Sequence, residues 1–349
     1  MQTKAGSLQL YITSYGAYLH VTDALFELRL RDEGQGAKKL HYAARKVKSI
    51  IFTVAGALST EAVKLALEHN VDILFAESDG QPLGRVWHSR LGSTTRIRKQ
   101  QLRASVHPLA LRYTVNWLSQ KLEQQITLLT TLRKHRKRQA ALLDERRERI
   151  VALRESMAAL VEPDRSVKDV ADTLRGLEGT AGRLYFQTLS AVLPPNYAFE
   201  GRSFRPALDP FNAFLNYAYG VLYSRIEKAL MIAGLDPFVG FLHRDDYNQK
   251  SMIFDFIEPY RVHADYTVFR LFSGKFVNQE HYRELTNGIG LTKEGKQLLI
   301  ARFTKSLDED KVRHRGRNLT RAHVLQLEAH RFANELLGEE LPEIAIITA

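Results

Sequence analysis

The sequence predicts an α+β protein in which a small N-terminal β-rich domain is followed by a larger all-α domain. Over about the first ninety residues, apolar and polar residues alternate as half-buried strands require. Beyond the Gly-Ser-Thr-rich stretch Leu91–Thr95, apolar residues instead recur with the helical period. We therefore predict a β-rich domain at 1–90, a linker at 91–105, a helical domain at 106–340 and a loosely held tail at 341–349.

The N-terminal region is expected to form a small sheet domain that carries one helix. The segments Leu8–Thr13 and Ala17–Thr22 flank a Ser-Tyr-Gly turn and predict a β-hairpin. Ser59 is a candidate N-cap for the helix. Further strands are predicted at Leu25–Leu30, Val47–Val54, Val71–Ala76 and Leu83–Trp87.

The helical region should contain long amphipathic helices that bury a common core. Asp209 and Pro210 are a typical helix start, and Pro259 is expected to bend the helix that contains it. The predicted helices are Leu109–Leu132, Ala140–Leu160, Ser166–Leu193, Asp209–Gly234, Gln249–Phe272, Thr292–Leu307 and Asn318–Leu337.

The composition favours a polyanionic partner. The 349 residues include 50 Lys and Arg against 39 Asp and Glu, a net charge of +11. Basic side chains bound to phosphates release condensed counterions, although ordinary solubility charge is the alternative explanation. The chain has no cysteine, which excludes disulfides and cysteine-ligated zinc. It shows neither a signal peptide nor an apolar run long enough to cross a bilayer, so we expect a cytoplasmic protein without membrane contact.

Three short segments place candidate metal ligands beside apolar residues. Glu178 lies in a predicted helix next to Gly179 and close to Gly182. Two glycines inside a helix cost about 1 kcal/mol each relative to alanine. They therefore indicate close approach of another helix or of a ligand, the alternative being tight packing beside a surface glutamate. His243 ends an apolar segment, where a hydrogen-bonded core histidine is the alternative to a ligand.

Asp255 and Glu258 form the third segment and lie about one helical turn apart among apolar residues. Two carboxylates in such surroundings need a compensating cation. Arg261 could supply that charge, and a divalent metal is the competing answer. Carboxylates with one imidazole and no thiolate suit Mg²⁺ or Mn²⁺ better than structural zinc.

Two basic clusters are candidate phosphate-binding segments. One is Arg133–Arg138, between two predicted helices, and the other is Lys311–Arg321, which Gly316 interrupts. Within the second we take Arg315 and Arg317 as candidate DNA-binding residues. A solvated loop is the alternative for either cluster.

Together these segments resemble the universal CRISPR-associated integrase, the first-numbered Cas protein. The resemblance covers nearly the whole chain and follows the family's order of motifs. Besides the segments around Glu178, His243 and Glu258, it includes the motifs Asn216–Gly220, Leu291–Lys296 and Arg315–Thr320.

The resemblance implies that Glu178, His243 and Glu258 are the catalytic residues and the ligands of Mg²⁺ or Mn²⁺, with Asp255 as a possible supporting ligand. Their side-chain tips should then lie within about 5 Å of a common point. The implied reaction is insertion of new spacers into a CRISPR array, by attack of a 3′-hydroxyl on a phosphodiester. The implied partners are double-stranded DNA (protospacer and CRISPR repeat), a second copy of the chain and a small ferredoxin-like protein, the second-numbered Cas protein.

Two other functions remain open at this point. One is a related integrase that serves a mobile element, and the other is a basic helical scaffold that binds DNA without catalysis. The homodimer is expected to form chiefly through the sheet domain, because its strands leave edges that so short a domain cannot easily cover.

Overall fold

A computed structural model describes residues 8–30, 38–77, 79–86, 94–243 and 249–341. The chain divides into two compact units, residues 1–91 and residues 92–349. Among the described residues, the first unit holds strands and one α-helix, and the second is dominated by helices, so the predicted fold class is confirmed.

Among its described residues, the N-terminal unit contains two four-stranded sheets and a helix. The elements are β1 (Leu8–Ile12), β2 (Tyr18–Thr22), β3 (Leu25–Leu30), β4 (Lys38–Ala43), β5 (Val47–Phe52), β6 (Ala57–Leu58), α1 (Thr60–Glu68), β7 (Asp72–Ala76) and β8 (Pro82–Val86). One sheet has the strand order β1-β5-β7-β8, with β1, β5 and β7 parallel, and the other has the order β4-β3-β2-β6. The helix α1 is capped as predicted, because the Ser59 side chain accepts a hydrogen bond from the Ala62 N–H at 3.2 Å.

The predicted hairpin between the first two strands is wrong. Strand β1 pairs in parallel with β5, whereas β2 pairs with β3 through a two-residue turn. Both turn residues, Asp23 and Ala24, have positive φ (52° and 57°), as a type I′ turn requires. The bend before Ala17 instead carries the chain from one sheet to the other, where the Gly16 N–H donates to the Ala55 carbonyl at 2.9 Å. Strand β4 was not predicted, because the polar, glycine-rich stretch before it indicated a loop.

The second unit contains nine helices and two short β-hairpins among its described residues. Its elements are α2 (Thr94–Ser105), α3 (Leu109–His135), α4 (Ala140–Ala158), α5 (Val167–Ala191), α6 (Pro210–Ile232), α7 (Ser251–Phe256), α8 (Arg261–Ser273), β9 (Tyr282–Leu285), β10 (Gly288–Leu291), α9 (Lys293–Asp308), β11 (Lys311–His314), β12 (Arg317–Thr320) and α10 (Arg321–Gly338). Helix α6 is buried along almost its whole length and packs against α8 and α10.

The predicted linker at 91–105 is wrong where the structure describes it, because Thr94–Ser105 forms helix α2. This segment is polar overall, and two of its three buried residues are glutamines, so it lacks an apolar stripe. The Gln100 side-chain amide donates to the Glu339 carbonyl at 3.0 Å, which ties α2 to the end of α10. The predicted tail falls outside the described residues, apart from the buried Leu341.

Two further differences concern the C-terminal half. The predicted helix Gln249–Phe272 is broken into α7 and α8 by a 3₁₀ turn at Glu258–Tyr260, where Pro259 cannot donate a backbone hydrogen bond. The predicted helix start at Asn318 is instead strand β12, which follows a turn with positive φ at Arg315 and Gly316. None of the helices among the described residues is both long and apolar enough to cross a membrane.

The start of α9 gives a test of this packing. A Cβ added at Gly295 would lie 1.9 Å from the His281 carbonyl oxygen, so the backbone there must shift. We expect Gly295→Ala to lower the free energy of unfolding by about 3 kcal/mol. Gly338→Ala is the matched control, since a Cβ there meets no described atom within 4 Å and should change stability by less than about 1 kcal/mol. Urea titrations of both variants would contradict this packing if their midpoints were equal.

Candidate active site

All three predicted ligands line one cavity of about 780 Å³ in the helical unit. Glu178 comes from α5, His243 from the loop before α7, and Glu258 from the 3₁₀ turn between α7 and α8. The fold therefore brings together side chains that are up to 80 positions apart in the sequence (258 − 178).

The glycines beside Glu178 leave one face of α5 bare. A Cβ added at Gly179 or Gly182 would meet no described atom within 4 Å, and both glycines line the cavity. Tight helix packing, which was one explanation for these glycines, is therefore wrong. Their missing side chains widen the space beside Glu178, which favours the other explanation, the approach of a ligand.

His243 is held by Asp255, which is 3% exposed. One carboxylate oxygen of Asp255 lies 2.6 Å from His243 Nδ1. The other accepts hydrogen bonds from the Phe241 and Leu242 N–H groups at 2.5 and 3.0 Å. With Nδ1 engaged, Nε2 is the ring nitrogen that could bind a ligand, an arrangement common behind metal-binding histidines. These contacts suit Asp255 to orienting His243 and its loop rather than to binding a metal directly.

The loop that carries His243 is clamped by Gln101, a fully buried residue of α2. Its amide nitrogen donates to the Asp236 and Val239 carbonyls, both at 2.9 Å, and its oxygen accepts from the Asp236 N–H at 2.8 Å. From the other side, the Arg175 guanidinium donates to the Leu242 carbonyl at 3.0 Å. The position of His243 is therefore set by contacts on both flanks of the loop.

A buried lysine lies between the two glutamates. The Lys121 ammonium, from α3, donates a very short hydrogen bond to Glu178 Oε1 and lies 2.6 Å from Glu258 Oε2. Burial disfavours the charged ammonium, but the charges of Glu258 and Glu178 outweigh it and raise the pKa of Lys121. Lys121 is therefore a permanent cation in this cluster.

Glu258 is compensated by two cations. Arg261 Nε donates to Glu258 Oε1 at 2.7 Å, as the sequence suggested for a counter-charge, while Lys121 approaches Oε2. Burial by itself raises the pKa of Glu258, but Arg261 and Lys121 together lower it to about 2. The carboxylate is thus ionised at any physiological pH.

The donor chemistry of the cavity fits a hard divalent cation. Two carboxylates and an imidazole whose second nitrogen is already engaged form a suitable set for Mg²⁺ or Mn²⁺. Glu258 Oε2 is buried and accepts no hydrogen bond of good geometry despite the nearby ammonium. Within the described part of the chain, however, no three acidic or histidine side chains are grouped closely enough to hold one ion. The convergence expected for Glu178, His243 and Glu258 is therefore not found in this conformation, in which Lys121 lies between the carboxylates.

The walls of the cavity suit an anionic ligand. They include five basic side chains, Lys121, Arg175, Arg183, Arg202 and Arg261, against three acidic ones, Glu178, Glu200 and Glu258. Arg202 is fixed by two asparagines of α6: it donates a very short hydrogen bond to Asn212 and another to Asn216 at 2.8 Å. Its guanidinium also lies 5.5 Å from the centres of the Phe186 and Tyr219 rings, where cation–π attraction holds it.

Behind this wall, Asp265 is a buried carboxyl group that accepts two tyrosine hydroxyls. Tyr219 donates to it at 2.6 Å and Tyr185 at 3.2 Å. Burial raises the pKa of Asp265 to about 6, against the opposing effect of these hydrogen bonds and of two arginines. Asp265 connects α5, α6 and α8 at the base of the cavity.

The basic clusters do not line this cavity. Arg315 and Arg317 belong to the β11–β12 hairpin, and Arg315 Nε donates to Glu328 at 3.1 Å. In the other cluster, Arg133 pairs with Asp144 at 2.6 Å, and Arg136 donates to the Val192 carbonyl at 3.0 Å. These contacts leave a phosphate-binding role for either cluster, and a DNA-binding role for Arg315 and Arg317, as predictions.

Sequence reasoning missed Lys121, Gln101, Arg202 and Asp265. Lys121 had a usable signal, because it lies on the buried stripe of α3 between Leu118 and Leu122, where a lysine is unexpected. Gln101 and Arg202 had none, because their partners lie 135 and 10 or more positions away and nothing local indicates them.

Comparison with known proteins places these features in one family. A family described as "CRISPR associated protein Cas1" matches residues 10–305. The CRISPR-associated endonuclease Cas1 1 of Archaeoglobus fulgidus is 31% identical over 343 residues, which cover 95% of this chain and 97% of that protein.

Two solved structures share the fold. A casposase bound to integration product gives a TM-score of 0.79 at 22% identity and covers 99% of this chain and 96% of its own. A chain of a Cas6-RT-Cas1–Cas2 complex gives a TM-score of 0.75 at 19% identity and covers 97% of this chain and 36% of its own.

Asp265 gives a pH test of the buried base of the cavity. Its pKa of about 6 in the folded protein exceeds the usual 3.8, so the folded state binds this proton more tightly than the unfolded chain does. The stabilisation is fully present below about pH 4 and is lost as the pH rises through 6. Asp265→Asn keeps a hydrogen-bond acceptor but cannot titrate.

We therefore expect the free energy of unfolding of the wild type, relative to Asp265→Asn, to fall by about 2 kcal/mol between pH 4 and pH 7. Urea titrations at several pH values would measure this difference, in which groups common to both proteins cancel. Parallel stability curves for the two proteins would contradict the assignment.

Proposed function

The chain belongs to the Cas1 family of CRISPR-associated proteins, and we propose that it is a metal-dependent DNA integrase and endonuclease that inserts new spacers into a CRISPR array. In this reaction, the 3′-hydroxyl of a short DNA duplex attacks a phosphodiester at the border of a repeat. The observation that carries the proposal is that Glu178, His243 and Glu258 line a single cavity whose walls carry an excess of basic side chains.

In the proposed reaction, Glu178, Glu258 and the Nε2 atom of His243 would hold a divalent metal, Mg²⁺ or Mn²⁺. The metal would polarise the scissile phosphate and stabilise charge on the attacking and leaving oxygens. Asp255 fixes the ring and backbone of His243, so that Nε2 is presented in one orientation. Arg202 is held rigidly and would contact a phosphate beside the reacting one.

The proposed partners are double-stranded DNA, a second copy of the chain and the small ferredoxin-like Cas protein. The shared fold with a chain of a Cas6-RT-Cas1–Cas2 complex supports the last of these. Action on chromosomal DNA would take place in the cytoplasm.

We propose that the homodimer forms chiefly through the N-terminal sheet unit, whose sheets end in β1, β4, β6 and β8. Strand edges present unpaired backbone groups and invite pairing with another chain. Static light scattering at micromolar concentration should give twice the mass of the chain. A monomer mass under the same conditions would contradict the proposal.

Two alternatives differ from this proposal in testable ways. An integrase that serves a mobile element would use the same cavity. The neighbouring genes would distinguish the two integrases, because the gene of a spacer integrase should lie next to CRISPR repeats and the gene of the small partner. A non-catalytic scaffold gains nothing from two glutamates in a phosphate-binding cavity, because negative charge there repels the ligand. Cleavage of branched DNA with Mn²⁺ would exclude the scaffold.

Mutations should affect strand transfer and duplex binding independently. We expect His243→Ala and Glu258→Gln to lower strand transfer by at least about 100-fold, because each removes a group that acts on the reacting phosphate. Measured without divalent metal, duplex binding should stay nearly unchanged in both variants, since phosphate contacts are spread over a wide surface. Gel assays of strand transfer and filter-binding titrations would measure the two effects.

The converse control is Arg315→Ala combined with Arg317→Ala. If both arginines contact phosphates, binding weakens for every sequence and the slope of log affinity against log salt flattens by about two units. The alternative, a solvated hairpin, leaves affinity and slope unchanged, and that outcome would remove both residues from the DNA surface. Loss of binding in His243→Ala or Glu258→Gln would contradict the division of roles.

A further inference from the structure

The Lys121 ammonium occupies the space between the two carboxylates that the proposed metal would share. It contacts Glu178 Oε1 and lies 2.6 Å from Glu258 Oε2. Its side chain is 8% exposed, so water compensates little of its charge. A divalent ion bound to these oxygens would lie about 2.0–2.1 Å from each of them, which leaves no room for the ammonium at its present position.

The charges of the cluster balance without a metal. Lys121 and Arg261 contribute two positive charges, and Glu178 and Glu258 contribute two negative ones, so the four contacting groups sum to zero. A divalent ion would add two positive charges beside the two resident cations. Such an excess in a poorly solvated site is unfavourable unless a cation leaves or an anion enters.

We propose that Lys121 is a resident counter-ion that holds Glu178 and Glu258 together in the metal-free protein and must leave their oxygens before a divalent ion can bind both. This inference rests on the proposed function, because it takes the two glutamates as metal ligands. It assigns a positioning role to a lysine that no sequence motif indicates.

The same geometry couples metal binding to DNA binding. Lys121 lines the cavity together with Arg183 and Arg202, so its flexible stem can carry the ammonium from the carboxylates toward a phosphate that enters there. A bound phosphodiester thus gives the displaced lysine a new anionic partner and offsets the charge of the metal. DNA should raise the metal affinity, and the metal should raise the DNA affinity by the same factor.

The test is Mn²⁺ binding to the full-length protein without DNA, measured from the electron paramagnetic resonance signal of free Mn²⁺. We expect Lys121→Met to bind Mn²⁺ at least about tenfold more tightly than the wild type. Lys121→Arg keeps the charge and should stay near the wild type. Adding Glu258→Gln to Lys121→Met should abolish the gain, which shows that the ion binds at these carboxylates.

Lys250→Met is the matched control. Lys250 donates to Glu227 at 2.6 Å in another partly buried lysine–glutamate pair, and neither residue lines the cavity. Its replacement should leave the Mn²⁺ affinity unchanged. If Lys121→Met does not fold, Lys121→Gln takes its place. The wild type gives a second measurement that needs no variant: saturating branched DNA should tighten Mn²⁺ binding at least about tenfold.

The outcomes separate this inference from the proposed function. If the wild type cleaves branched DNA and binds Mn²⁺ in a way that Glu258→Gln abolishes, but Lys121→Met binds no more tightly, the counter-ion role of Lys121 is wrong and the metal site remains. Equal Mn²⁺ affinity of the wild type with and without DNA would also overturn the inference. If no variant shows Mn²⁺ binding that depends on Glu258, the proposed metal site itself is wrong, and the inference is wrong with it.

Discussion

Charge compensation among Lys121, Glu178, Glu258 and Arg261 is the constraint on which the cavity of the helical unit depends. An uncompensated charge in this setting would cost several kcal/mol, so the helices that carry these residues must meet in one arrangement. Lys121 comes from the centre of α3, Glu178 from α5, and the other two from the turn and helix start after α7. One cluster of ion pairs therefore fixes three separate parts of the chain around the cavity.

The His243 loop and the helices around the cavity are held in place by residues that do not line the cavity. Asp255 accepts three backbone N–H groups of the His243 loop as well as the imidazole Nδ1, and Gln101 clamps the preceding part of that loop. Asp265 with its two tyrosine partners joins α5, α6 and α8 beneath the arginines. The residues around the cavity are thus held by satisfied hydrogen bonds on rigid elements, as preorganised sites require.

On the bare face of α5, open space beside Glu178 takes precedence over helix stability. Alanine would favour the helix at Gly179 and at Gly182, and the described structure has room for a Cβ at both positions. The glycines nevertheless lie beside Glu178 and line the cavity, where a side chain would narrow the approach of a duplex backbone. Gly295 is different, because the absence of a Cβ there allows the His281 backbone to pack closely against it, and its role is packing alone.

The sequence by itself determined the class of fold, the course of most helices and the identity of the three candidate ligands. Apolar periodicity is a local property of the sequence and can be recognised without knowing which residues are in contact. The same is true of the N-cap at Ser59 and of the helix start at Asp209. Only the tertiary structure decided that β1 pairs with β5, that Thr94–Ser105 is helical, and that Lys121 lies between Glu178 and Glu258. Strand pairing, buried glutamine contacts and ion pairs join residues that are far apart in the chain. These interactions form only when packing brings the residues together and excludes water from between them.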